Sequence, residues 1–96
     1  MSRPEKYYVS KLQSALKAMG AKVIKHHGSA YSSAGEPDLI ACLEGRTIVI
    51  EVKRDGEKAT PLQEKRLQEW RDAGALALVS VGEDWRDVVE VVVQCR

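Results

Sequence analysis

Three charged residues stand out because they interrupt two stretches that are otherwise apolar and typical of strands. Asp38 begins the first stretch, and Glu51 and Lys53 lie near the end of the second. Asp, Glu and Lys are rarely fully buried unless they are paired or functional. A pair of carboxylates can bind a hard divalent cation such as Mg²⁺ or Mn²⁺, which prefers oxygen ligands. The first question is whether the fold brings the three side chains together.

The register of a predicted hairpin indicates that it does. Strands are expected over Pro37–Leu43 and Arg46–Lys53, with Glu44-Gly45 as the loop, so the numbers of facing residues add up to 89. Asp38 and Glu51 then face each other, and opposed side chains have Cβ atoms roughly 4.5–5.5 Å apart. The lysine lies two residues further along and shares their face, because strand side chains alternate. A three-residue loop would break this register.

Two facing carboxylates repel each other and destabilise a sheet unless a cation compensates them. A divalent metal ion is one candidate. The alternative is an internal salt-bridge network in which Lys53 neutralises Asp38 and Glu51. Spacing alone fits both equally well.

Length and composition predict one ordinary globular domain over residues 1–96. The chain is 44% hydrophobic and 30% charged, with a net charge of +1. No apolar run approaches the roughly 20 residues that span a bilayer, and the N-terminus lacks the apolar core of a secretory signal. The two cysteines show no metal-ligand spacing and no disulfide framework, and Cys42 is expected to be a small core residue. We therefore expect a cytoplasmic, intracellular protein.

Positive charge is concentrated near the N-terminus. Residues 1–30 contain six Lys or Arg and one Glu, a net charge of +5, whereas residues 31–96 contain nine Lys or Arg and thirteen Asp or Glu, a net charge of −4. This asymmetry fits an anionic partner such as a phosphate backbone, although a solvated helix face is the simpler explanation. A histidine pair on a short strand is likewise more often incidental. The candidate contacts to such a backbone are Lys25, His26, His27, Ser29, Ser32 and Lys58.

Two amphipathic helices are predicted beside the strands. Residues 4–19 carry apolar side chains at helical spacing, and Glu5 lies on that apolar stripe. Glu5 could complete a capping box that begins at Ser2, or it could be a third carboxylate aimed toward the sheet. The second helix has Thr60 as its N-cap with Gln63 three residues later, which is another capping box. Gln63 also begins the buried stripe, which permits a role near the charged site.

Two further strands and a final segment complete the predicted order. Strands are expected over Ala21–His27 and Ala75–Val81, and the second should join the hairpin by a parallel crossover because a helix precedes it. Residues 84–96 contain the run VVEVVV, which could be a strand. We favour a helix, which would expose Val91 and Val93 for contact with another subunit.

Together these features resemble the PD-(D/E)xK nuclease superfamily. The compact spacing and short chain look most like a stand-alone virus-type replication-repair nuclease (VRR-Nuc) domain, from Glu5 to about Val81. The resemblance implies a single α/β domain with a restriction-endonuclease-like α-βββ-α-β core, a mixed sheet flanked by helices, and a C-terminal helix. The segments that carry it are Gly35-Glu36-Pro37-Asp38, Glu51-Val52-Lys53 and Thr60-Pro61-Leu62-Gln63.

The resemblance also implies a metal site. Asp38 and Glu51 would bind Mg²⁺ or Mn²⁺, and the backbone carbonyl of Val52 would complete the metal shell. Glu5 would touch the site directly or through water. No organic cofactor and no membrane partner are implied.

The catalytic residues that the resemblance implies are Asp38, Glu51, Lys53 and Gln63. Lys53 would orient or activate the attacking water, and Gln63 would support Lys53 or the substrate phosphate. The implied activity is metal-dependent, structure-specific hydrolysis of phosphodiester bonds in branched DNA, with four-way (Holliday) junctions as substrate. Two strands cut symmetrically need two-fold symmetry, which predicts a homodimer.

Three alternatives remain from the sequence. The protein could cut flap, nicked or single-stranded DNA, or it could be a non-catalytic DNA-binding module. It could also be a small α/β protein with an internal salt-bridge cluster. The family name suggests a gene of viral or phage origin.

Overall fold

The predicted hairpin lies at the centre of a four-stranded sheet. The computed structural model describes residues 3–26 and 34–96. Its strands are β1 (Lys22–Lys25), β2 (Leu39–Leu43), β3 (Arg46–Lys53) and β4 (Leu76–Val81). They lie in the order β1-β2-β3-β4; β1, β2 and β3 pair antiparallel, and β4 pairs parallel with β3. The predicted crossover into a mixed sheet is confirmed.

The turn between β2 and β3 has the two-residue form on which the register depends. Glu44 has φ of +51° and Gly45 has φ of +81°. Positive φ at both central residues gives a primed turn, whose twist matches that of the strands. Leu39 pairs with Ile50 and Leu43 with Arg46, so the numbers of facing residues add up to 89, as predicted.

Helices cover both faces of the sheet, which confirms the single-domain α/β prediction. The helices are α1 (Glu5–Ala18), α2 (Pro61–Asp72) and α3 (Trp85–Gln94), the last preceded by a 3₁₀ turn at Gly82–Asp84. Helices α1 and α3 pack on one face, and α2 packs on the other over β3 and β4. The core of the first face includes Tyr8, Leu12, Leu16, Leu39, Ile50, Val52 and Val92. The smaller core under α2 is formed by Val49, Leu67 and Ala77.

The N-terminus of α1 differs from the prediction. The helix begins after Pro4, whose side chain makes no capping hydrogen bond, and Glu5 is its first residue. A capping box would require Glu5 to stand three residues after the cap. The capping-box alternative for Glu5 is therefore wrong, because the helix begins directly after Pro4. Ser2, the residue expected as the cap, lies outside the described residues.

The C-terminal segment is a helix despite its β-branched residues. Val88 and Val92, four residues apart, are buried against the sheet, while Val91 and Val93 are about 40% exposed. The helix preference and the exposure of the two valines are confirmed. Within residues 3–26 and 34–96, none of the helices is long and apolar enough to cross a membrane.

The expectation that Cys42 is a core residue is wrong, because its side chain is exposed. It lies on the face that α2 covers, but α2 packs over β3 and β4 and leaves this part of β2 open. The predicted first strand is also shorter than expected, since β1 ends at Lys25.

Candidate active site

The carboxylate of Asp38 closes the open end of the hairpin. The last β2–β3 residue pair here is Leu39 with Ile50, and Asp38 lies just before β2. Its Oδ2 accepts a hydrogen bond of 2.8 Å from the Val52 N–H, while its main-chain carbonyl accepts one of 2.8 Å from the His26 N–H. Asp38 is thus held by its main chain next to the end of β1 and by its side chain to β3.

Glu51 is a buried carboxyl group beside Asp38. Glu51 is only 3% exposed to solvent. Burial raises the pKa of Glu51 to about 8, and a side-chain hydrogen bond with Asp38 and the negative charge of Asp38 add to the rise. The predicted juxtaposition of Asp38 and Glu51 is therefore present in the fold, and near neutral pH the raised pKa favours the protonated form of Glu51.

Lys53 supplies a positive charge close to Glu51. Its Nζ lies 3.9 Å from Oε1 of Glu51, and the lysine side chain is 14% exposed. The charge of Lys53 lowers the pKa of Glu51, but burial outweighs it. A complete salt-bridge network would hold Glu51 ionised and satisfied, so Lys53 alone does not account for the buried carboxyl.

Glu5 approaches the same end of the sheet from α1. Partial burial raises the pKa of Glu5, and the charge of Asp38 adds to that rise. Lys53 and Lys25 act in the opposite direction. Glu5 itself stays exposed to solvent, and its role toward a metal ion remains a prediction.

The donor set fits a hard divalent cation. Oε2 of Glu51 is buried and has no hydrogen-bond partner among the described residues. A buried carboxyl in that position must be neutralised, either by a proton or by a bound cation. Carboxylate oxygens suit Mg²⁺ and Mn²⁺. In the described ranges, three or more His, Cys, Asp or Glu side chains do not converge closely enough to hold an ion together. Asp38 and Glu51 are therefore the pair around which such a site would form.

Gln63 performs its capping role at the start of α2. Its Oε1 accepts a hydrogen bond of 2.9 Å from the Thr60 N–H, and its main-chain N–H donates one of 3.2 Å to Oγ1 of Thr60. The predicted capping box is confirmed. The side-chain amide nitrogen of Gln63 takes no part in the box, so a second role near the site remains a prediction.

The predicted contacts to a phosphate backbone are only partly within the described residues. Lys25 is exposed in β1 and lies near enough to Glu5 for its charge to lower the pKa of that carboxyl, against the larger effect of burial. His26 is half-buried beside Asp38, and Lys58 is exposed before α2. His27, Ser29 and Ser32 lie outside the described residues.

The sequence did not predict the residues that fix the segment immediately before Asp38. Nε1 of Trp70 donates 3.1 Å to Oε1 of Glu36, and Nε of Arg66 donates 3.1 Å to the carbonyl of Ala34. The only available signal was the helical spacing of Arg66 and Trp70. That spacing did not indicate the partners, which lie 32 and 34 residues away.

Comparison with known proteins is consistent with this geometry. The sequence model described as "Archaeal holliday junction resolvase (hjc)" matches residues 6–81. Two solved structures, titled "VRR_NUC domain" and "VRR_NUC domain protein", are 27% identical, with a TM-score of 0.73 over 94% of this chain and 94% and 85% of theirs. Hjc of Archaeoglobus fulgidus, titled a Holliday junction resolvase, is 25% identical with a TM-score of 0.62, over 79% of this chain and 66% of that one. No curated protein sequence matches significantly.

Proposed function

The chain belongs to the archaeal Holliday junction resolvase family, a family of nucleases, and from this membership we propose that it is a divalent-metal-dependent endonuclease that cuts four-way DNA junctions as a homodimer. The observation that carries the proposal is the pair formed by Asp38 and Glu51. A buried carboxyl with an unpaired oxygen is costly for stability. That cost is expected where the group serves a bound cation, because perturbed pKa values cluster at functional sites.

The residues of this site suit hydrolysis of a phosphodiester. A bound Mg²⁺ or Mn²⁺ would supply Lewis acidity and a water of lowered pKa. Asp38 and Glu51 would hold the ion, together with the Val52 carbonyl, and Glu5 would act at its edge. Lys53 would donate a hydrogen bond to the attacking water or to a phosphoryl oxygen, which stabilises the charge that develops in the transition state.

Branched DNA as the substrate is supported by family membership and by the charge around the site. Lys25, Lys53 and Lys58 lie on the segments that border it. The homodimer is proposed because paired cuts in a junction require two active sites related by two-fold symmetry. The exposed side chains of Val91 and Val93 on α3 are the candidates for the subunit contact. An intracellular location follows from the DNA substrate, and a viral or phage origin remains a prediction.

The proposed function is tested by incubating the protein with labelled four-way junctions, flaps, nicked duplex, single strands and plain duplex in Mg²⁺ or Mn²⁺. We expect cleavage of the junction by a species with twice the mass of the chain, in symmetric pairs of cuts. Equal cleavage of all substrates would contradict junction specificity. A single-chain mass under assay conditions would contradict the homodimer, and binding without cleavage would favour a non-catalytic module.

Replacing Lys53 by Met is expected to slow junction cleavage on the order of 10²–10³-fold, the usual effect of losing one donor to the transition state. Binding of the junction in Ca²⁺ should change much less, since one charge among many phosphate contacts is lost. Single-turnover cleavage and a gel-shift titration measure the two effects. The matched control is Lys17→Met at the far end of α1. Cleavage by Lys53→Met at the parent rate would remove Lys53 from the catalytic residues.

Replacing Gln63 by Glu separates its two roles. Glutamate also completes a capping box, so the free energy of unfolding should change by no more than about 0.5 kcal/mol, the usual limit for surface changes. The amide donors are lost, however, and we expect cleavage to slow about tenfold or more. Gln68→Glu, on the solvent side of the same helix, controls for the added charge. Full activity of Gln63→Glu would show that Gln63 is only a cap.

A further inference from the structure

Three side chains on one side of helix α2 contact residues 34–36, the segment that leads into Asp38. Leu62, Arg66 and Trp70 are spaced four residues apart, and we call them the α2 stripe. Arg66 donates to the carbonyl of Ala34, and Trp70 donates to the carboxylate of Glu36, each over 3.1 Å. Leu62 packs over the residue between them.

The contact between Leu62 and Gly35 leaves no room for a side chain. Gly35 has φ of +82°, a conformation that other residues rarely adopt, and a Cβ at this position would lie 2.8 Å from Cγ of Leu62. Three consecutive residues, 34–36, are therefore each held by one member of the α2 stripe.

The connection from this segment to the site is short and stiff. Pro37 is fully buried and separates Glu36 from Asp38. Its ring fixes φ near −65°, and it also restricts the backbone of the residue before it. A shift of Glu36 would therefore move the Asp38 carboxylate, whose Oδ2 must stay on the Val52 N–H while the group faces Glu51.

We propose that the α2 stripe positions Asp38: the hydrogen bond from Trp70 to Glu36, with Arg66 and Leu62 beside it, sets the Asp38 carboxylate in the geometry that cleavage requires. The residues of the stripe are positioning residues, because they act through Asp38 and do not touch the substrate. The kinetic consequence rests on the proposed function. Misplacement of reacting groups by about 1 Å from a distant change can cost on the order of 10²-fold in rate.

The experiment compares variants that remove the hydrogen bond between Glu36 and Trp70. In both Glu36→Ala and Trp70→Phe we expect kcat for junction cleavage to fall about tenfold, the lower end for a partner of a metal ligand, with KM changed less than about twofold. Glu36→Gln keeps an acceptor oxygen and should restore the parent kcat. Combining Glu36→Ala with Trp70→Phe should cost no more than either alone, since both break one contact.

A second readout does not depend on activity or on a metal ion. Hydrogen exchange of the Val52 amide reports the bond to Asp38 directly, because that amide is bonded to the carboxylate. We expect faster exchange at Val52 in Glu36→Ala and Trp70→Phe, with the Ile50 amide of the same strand unchanged as an internal reference. Gln68→Ala, which loses only a contact to Asp72 on the exposed side of α2, should match the parent protein.

The outcomes separate this inference from the proposed function. If the parent protein does not cut junctions, the proposed function fails, and Val52 exchange still decides whether the α2 stripe positions Asp38. Unchanged exchange at Val52 in both variants would overturn the inference whatever the kinetics. A loss of kcat in Glu36→Gln equal to that in Glu36→Ala would also overturn it, because the charge and not the hydrogen bond would then matter.

Discussion

Glu51→Gln is expected to abolish junction cleavage while leaving the fold intact. Glutamine has the size of glutamate, so the buried site on β3 keeps its packing. It lacks the ionised oxygens that bind Mg²⁺ or Mn²⁺. Removing a group that only hydrogen-bonds to a metal ligand typically lowers metal affinity or activity about 10–100-fold. Loss of a ligand itself should therefore lower the rate on the order of 10³-fold or more.

The same substitution should not lower the stability of the metal-free protein at pH 8. The buried Glu51 carboxyl begins to lose its proton near this pH, because its pKa is about 8, and burial disfavours its charged form. Glutamine stays neutral and can donate its amide to Asp38. Thermal unfolding with and without Mn²⁺ measures both effects: Mn²⁺ should raise the Tm of the parent protein and not that of Glu51→Gln.

The matched control for Glu51→Gln is Glu83→Gln. Glu83 is exposed in the 3₁₀ turn before α3, so the same loss of charge occurs away from the site. It should keep the parent rate and the parent response to Mn²⁺. Residual cleavage by Glu51→Gln within about tenfold of the parent rate would exclude Glu51 as a metal ligand, since ligand loss costs more.

Metal binding is expected to weaken about tenfold for each pH unit below the raised pKa of Glu51. The metal-free protein has this pKa at about 8, so a cation must displace the proton from Glu51 at lower pH. Between pH 8 and pH 6 the apparent Mn²⁺ affinity should fall on the order of 100-fold. Calorimetric titration in two buffers of different ionisation enthalpy measures both the affinity and the released proton.

The pH dependence of folding has the opposite sign. The pKa of Glu51 is raised in the folded state, to about 8 from an ordinary value of 4.5, so the folded protein binds more protons than the unfolded chain between these values. This contribution to the free energy of unfolding is fully present below pH 4.5 and is lost as pH rises through 8. This pH-dependent contribution to stability should be absent in Glu51→Gln.

For the metal-binding prediction, a Mn²⁺ affinity that does not change between pH 6 and pH 8 would contradict the raised pKa of Glu51.

Local sequence rules predicted much of the fold because they act over a few residues. The Glu44-Gly45 turn fixed the hairpin register, and alternation then placed Asp38, Glu51 and Lys53 on one face. The Thr60 cap, its partner Gln63 and the helix that follows were predicted for the same reason. The resemblance to PD-(D/E)xK nucleases rested on these elements, and the family match confirmed it.

Coverage of the sheet could not be predicted from periodicity. Alternation says which residues share a face, but not how far a helix extends over it. Cys42 shares the face of Val49, yet Val49 is buried under α2 and Cys42 is exposed. The run VVEVVV likewise became a helix because Val88 and Val92 can pack on the sheet from one helical face, which outweighs β-propensity.

By itself, the sequence determined which charged residues face one another, because strand register and side-chain alternation depend on neighbours along the chain. Only the tertiary structure decided the environment of these residues, that is, how far each is buried and which hydrogen bonds it makes. Three features set that environment: the desolvation that raises the pKa of Glu51, the hydrogen bond from the Val52 N–H to Asp38, and the contacts of α2 with residues 34–36. Each depends on segments that are distant in sequence. Such contacts depend on packing across layers of the fold, and local pattern carries no information about them.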